Sequence, residues 1–131
     1  MPSVIKYVLD ASALVALIRR ETAWELVRSF VPEAAVSTIN FAETVYILRR
    51  RGMPLDAVRD VLDPLFPVPH PYDREQAYAT AVFVEGTRGQ GLSFADCACL
   101  ALAHLRGAEA VTAEHRWDKL ELDVAVRRIR C

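Results

Sequence analysis

Val4-Ile5-Lys6-Tyr7-Val8-Leu9, closed by Asp10, is the stretch on which the fold turns. It is β-rich and nearly continuously apolar, which suits a parallel strand buried on both faces. Ser12 to Arg20 then reads as a short helix. Glu21 or Thr22 opens a second helix through about Phe30, where Pro32 breaks the pattern. Ala34 to Thr38 is a second short strand. Asn40-Phe41-Ala42-Glu43 reads as a helix start, with an Asn cap and a Glu three residues on to reach back to the cap amide. That helix carries Phe41, Val45 and Leu48 on one face and ends in Arg49-Arg50-Arg51 before Gly52.

Pro54 starts a helix to about Leu62, and Phe66 to Pro69 is a weak edge strand, since its prolines lack ladder donors. Asp73 to Thr87 is a long helix. Ser93-Phe94-Ala95-Asp96 repeats the cap logic and opens a helix to Arg106, stopped by Gly107. Ala108 to Thr112 is a strand, Glu114 to Leu120 a short helix, and Val124 to Val126, extending toward Ile129, a last strand. Strands alternating with helices predict a three-layer α/β/α sandwich with a short, mainly parallel sheet.

The chain has 131 residues, 53% of them hydrophobic and 25% charged, with 5 Gly and 7 Pro. That composition excludes disorder and predicts one domain over residues 1–131. Sixteen basic against seventeen acidic residues give a net charge of −1, which excludes gripping nucleic acid by bulk charge. The cations are 14 Arg and 2 Lys, and Arg suits bidentate phosphate contacts. Cys97, Cys99 and Cys131 are odd in number, so a disulfide framework is not expected and a reducing compartment fits. With no signal-peptide pattern and no apolar run near the roughly 20 residues of a membrane span, a soluble cytoplasmic protein is expected.

In open α/β sheets, ligands bind beyond the carboxyl ends of the strands. Asp10 follows the first strand, Glu43 follows the second by one turn, Asp96 lies in the first turn of its helix, and Glu114 lies two residues past Thr112. Taken singly, Glu43 and Asp96 read as capping partners contributing about 0.5–2 kcal/mol, and Asp10 as a turn residue. Together, four acids at one sheet edge in apolar surroundings repel one another and raise each other's pKa. A hard divalent cation resolves that conflict. Oxygen donors without nearby His or Cys favour Mg²⁺ or Mn²⁺ over zinc, and such a site can activate water for displacement at a phosphodiester.

Tyr7-Val8-Leu9-Asp10-Ala11-Ser12-Ala13-Leu14, Asn40-Phe41-Ala42-Glu43, Gly91-Leu92-Ser93-Phe94-Ala95-Asp96 and Val111-Thr112-Ala113-Glu114 resemble, in order and spacing, the motif blocks of PIN-domain ribonucleases, and most closely VapC-type toxins of type II toxin–antitoxin pairs. The resemblance covers essentially the whole chain. It implies a Mg²⁺- or Mn²⁺-dependent endoribonuclease with Asp10, Glu43 and Asp96 as the first three acids. The fourth acid is usually Asp and is Glu114 here, so Glu114 or Asp118, one helical turn on, completes the site. Ser12 and Thr112 match residues that line it. The resemblance also implies an RNA substrate, a cognate antitoxin and a homodimer; the 53% hydrophobic content also favours the dimer, with Trp24, Tyr46 and Phe30-Val31 as the expected interface contributors.

Two other enzyme or signalling classes compete for an acid after the first strand. A haloacid-dehalogenase-like phosphatase wants a second Asp two residues after Asp10, where Ser12 stands. A receiver domain wants an acidic pair near the first strand and a Lys after a late strand, and the late Lys is Lys119. A PIN fold whose site has weakened into a binding module is the non-enzymatic alternative, and Glu114 is its support. Arg49, Arg50 and Arg51 suit either RNA phosphates or a solvated helix end. His115 and Arg116 read as surface, Cys97 and Cys99 as small buried residues, and Trp117 as a core or interface anchor.

Overall fold

The computed structural model describes residues 4–117 and 123–129. Four strands form a wholly parallel sheet: β1 (Tyr7–Leu9), β2 (Ala34–Ala35), β3 (Glu109–Thr112) and β4 (Val126–Arg128), in spatial order β2-β1-β3-β4. Tyr7 is paired with Ala34 on one side and Glu109 on the other, which places β1 at the centre. Six helices connect them: α1 (Ala11–Arg19), α2 (Trp24–Phe30), α3 (Thr38–Arg50), α4 (Leu55–Leu65), α5 (Arg74–Gly86) and α6 (Phe94–Arg106).

Side chains alternate across a strand, and β1 divides the core accordingly. Leu9 joins Leu14, Val27, Leu48 and Leu62 beneath α1 to α4. Val8 faces the other way, onto Cys99, Leu100, Leu102 and Trp117, with α5 reaching this second cluster through Phe83. The sheet therefore lies between two helical layers, the three-layer sandwich read from the sequence. Trp117 is 1% exposed and belongs to the core. Phe30 is likewise buried and stacks on Tyr7 at 4.2 Å, so it is withdrawn from the surface that the interface expectation gave it.

Two boundaries differ from the sequence reading in ways that matter for the site. The second strand stops after Ala35 because Ser37 caps α3, its hydroxyl accepting from Ile39 N at 3.1 Å. Asn40 therefore lies inside the helix rather than at its cap, and Glu43 is not its capping partner. The edge strand expected over Phe66 to Pro69 is not formed. Its prolines offer no donors, and pairing begins only at His70, whose N–H donates to Val36 O at 2.8 Å and whose carbonyl accepts from Thr38 N at 2.9 Å. The short helix expected from Glu114 is a 3₁₀ turn at His115–Trp117. Asp118, Lys119 and Leu120 fall outside the described residues, as does Cys131. Among the described residues no helix is long and apolar enough to cross a membrane.

Candidate active site

Asp10 is the first residue past β1 and the N-cap of α1, so a single side chain both ends the strand and starts the helix. Its Oδ1 accepts from Ala13 N at 2.8 Å and from Ser12 Oγ at 2.7 Å, and its Oδ2 accepts from Thr112 Oγ1. The same two hydroxyls accept in turn from the chain leaving β3: Ala113 N donates to Ser12 Oγ at 2.9 Å and Glu114 N to Thr112 Oγ1 at 3.0 Å. Asp10 is only 2% exposed. Burial pushes its carboxyl up to about 7, against the pull of the Thr112, Ala13 and Ser12 bonds, and Asp96 adds a smaller push.

Asp96 sits at the third position of α6 and closes a capping box, accepting from Ser93 N at 2.9 Å while Ser93 Oγ accepts from Asp96 N at 3.1 Å. It is thus a capping residue and a cleft residue at once. Glu43, on the second turn of α3, is half-buried. Burial raises its carboxyl, the Asn40 amide works against that, and Asp96 and Glu114 add to the rise. All four acids line one cleft of about 430 Å³ together with Ser12, Arg51 and His115. Thr112 does not line it: this side chain is fully buried and reaches the cleft through its contacts with Asp10, Ser12 and the Glu114 amide.

Asn40 is the residue that sequence reasoning misplaced. It is wholly buried, its Nδ2 donates to Ala95 O at 3.0 Å, and its Oδ1 has no partner among the described residues. It therefore ties the helix that carries Glu43 to the first turn of the helix that carries Asp96. The available signal was the Ser37-Thr38 pair, an equally good cap three residues earlier.

The four acids offer oxygen donors, which suits a hard cation; against the sequence expectation an imidazole, His115, also lines the cleft, its Nδ1 lying 2.6 Å from Arg128 Nη1. Among the described residues no three carboxylate, imidazole or thiol groups stand close enough to hold one ion directly. The arrangement fits an ion that keeps much of its water and takes one or two carboxylates, as Mg²⁺ does, rather than a closed protein cage. A buried carboxyl pushed up to about 7 beside other acids at the end of a parallel sheet keeps a proton that a bound cation would displace. That is the electrostatic condition a metal-assisted hydrolase needs.

The model of the PIN domain family matches residues 7–122 of this chain. The chain belongs to the PIN domain family. Solved structures share the fold of this PIN domain at low identity. A VapBC complex from Salmonella typhimurium bound to DNA superposes with a TM-score of 0.75 at 15% identity, covering 95% of this chain and 98% of that one. The VapBC2 complex from Rickettsia felis, bound to a DNA fragment from its promoter, gives 0.74 at 14% with the same coverage. The toxin–antitoxin system VapBC-5 from Mycobacterium tuberculosis gives 0.65 at 19%, covering 96% and 98%. No curated protein sequence matches the chain significantly.

Proposed function

We propose that this PIN domain is a Mg²⁺- or Mn²⁺-dependent endoribonuclease and the toxin of a VapBC-like pair, acting in the cytoplasm. The observation that carries the reading is the meeting of Asp10, Glu43, Asp96 and Glu114 in one cleft, with Asp10 buried and held up to about 7. One or two of Asp10, Glu43 and Asp96 would take the ion directly and the rest through its bound water, with Glu114 completing the site directly or through water. An ion held there would supply positive charge at the scissile phosphate and lower the pKa of a bound water. Ser12, Thr112 and the Ala13 amide lock the Asp10 carboxylate in one orientation, and Ser12 itself lines the cleft.

The three VapBC structures reported above, which superpose over 95–96% of the chain, support a protein antitoxin as partner. A homodimer is proposed with it. Tyr46 is 60% exposed, an aromatic ring that an interface would cover, and a monomeric mass in solution at micromolar concentration would count against the dimer.

Incubation of the purified protein with total cellular RNA, followed by end mapping, tests the activity. Internal cuts are expected with Mg²⁺ or Mn²⁺, and none with chelator or in Asp10→Asn or Asp96→Asn. Cleavage that survives chelator, or continues at the wild-type rate in either variant, ends this reading.

A further inference from the structure

Three arginines stand together at the end of α3, and the structure separates them. Arg49 turns to the Met53 carbonyl at 3.4 Å, and Arg50 lies over the Tyr46 ring at 5.8 Å. Arg51 alone of the three lines the acidic cleft. The other lining residues include five carboxylates, Asp10, Glu21, Glu43, Asp96 and Glu114, and among the described residues Arg51 is the only Arg or Lys there. Among the described lining residues, a polyanion entering this cleft meets Arg51 as its permanent cation.

The guanidinium is held in place by a pair suited to exchange. Arg51 Nη1 donates to Glu21 Oε2 at 3.1 Å, with the two side chains 44% and 32% exposed. An ion pair so open to solvent is weak. Arg19 Nε lies 3.9 Å from the same Glu21 oxygen, so Glu21 keeps a cation beside it when Arg51 turns away. Glu21 is met through a single Nη1 contact, whereas two phosphate oxygens can take the guanidinium fork in two parallel charge-assisted bonds.

We propose that Arg51 is a phosphate-binding residue that seats the backbone of single-stranded RNA beside the carboxylates, exchanging Glu21 for a phosphate next to the scissile one. This rests on the nuclease reading above and adds a substrate contact that the acids cannot make. Glu21 then acts as a placeholder, keeping the guanidinium at the cleft and out of the carboxylate cluster until RNA arrives.

The test is binding of a short unstructured fluorescent RNA by anisotropy, in chelator so that nothing is cut, over a series of salt concentrations. Arg51→Ala is expected to weaken binding about tenfold and to lower the salt slope by about 0.7, the value for one phosphate on a single strand. Arg51→Lys keeps the charge without the fork and falls between. Glu21→Gln releases the guanidinium and tightens binding about threefold. Arg50→Ala removes the same charge from the same helix end and leaves affinity and slope near wild type.

Equal losses in Arg50→Ala and Arg51→Ala would mean that only bulk charge is sensed, and they overturn the inference. So does unchanged binding in Arg51→Ala, with the nuclease reading left standing. Absence of RNA binding by wild type and every variant in chelator also overturns the inference, while the nuclease reading stands or falls on the metal-dependent cleavage test above. Circular dichroism on each variant separates loss of contact from loss of fold.

Discussion

Replacing Asp10 by Asn should make the metal-free protein more stable at alkaline pH. The carboxyl titrates near 3.8 in the unfolded chain and about 7 in the fold, where burial disfavours its charge. Between those values the folded state holds a proton that the unfolded state has released. Stability of the metal-free protein therefore falls as pH rises through that window, and the loss is complete above about 7. A gap of about 3 at 1.36 kcal/mol per unit corresponds to ~4 kcal/mol.

The amide is nearly isosteric and carries no such proton. Its oxygen can still accept from Ala13 N and Ser12 Oγ, while the Thr112 hydroxyl must reverse from donor to acceptor, so the net expected advantage is ~2–4 kcal/mol. Denaturant unfolding in chelator from about pH 4 to pH 8 measures it. Asp10→Asn should exceed wild type at the upper end and lose its advantage at the lower, where both side chains are neutral. Glu43 is raised in both proteins and contributes a slope of the same sign to each. Parallel curves for the two proteins would refute the argument that burial holds the Asp10 proton.

Addition of Mn²⁺ should stabilise wild type by about 2.7 kcal/mol at a hundredfold excess over its dissociation constant. Asp96→Asn and Glu43→Gln should lose most of that gain, and an equal gain in all three would place the ion elsewhere. Asn40→Ala should weaken Mn²⁺ binding about tenfold or more, because the tie between α3 and the Asp96 turn orients two of the acids. A lowered melting temperature with unchanged Mn²⁺ affinity would reduce Asn40 to a structural role. Leu100→Ala, in the cluster beneath α6, should cost ~2–5 kcal/mol by chemical denaturation with Mn²⁺ affinity retained. Cys97 and Cys99 are buried and their thiols are pushed up by that burial, so neither should alkylate in the folded protein at neutral pH. Rapid labelling of either by iodoacetamide, read by mass spectrometry, would contradict this.

The sheet and most helices were legible because each is written in local chemistry. The end of the apolar run before Asp10 lies in the interior, with Val8 and Leu9 fully buried although Val4 is exposed and the strand is shorter than the run, and Ser93 with Asp96 forms a complete cap within four residues. The four acids could be picked out because each follows a strand or opens a helix, and the chain's direction puts such positions at one sheet edge. The motif blocks then pointed to the family.

Tertiary structure alone decided what those residues touch. Ser37 and Asn40 are both competent caps, and the choice fell to Ser37 because the Asn40 amide is drawn to Ala95, 55 residues away. Likewise Thr112 gives its hydroxyl to Asp10, 102 residues away, and is sealed inside rather than lining the cleft. Arg49, Arg50 and Arg51 are alike as letters, and only the packing of α1 and α2 beside α3 brings Glu21 to one of them. Propensity and periodicity act over a few residues, whereas a buried hydrogen bond is satisfied by whichever partner the fold brings within reach, and no local pattern records that partner.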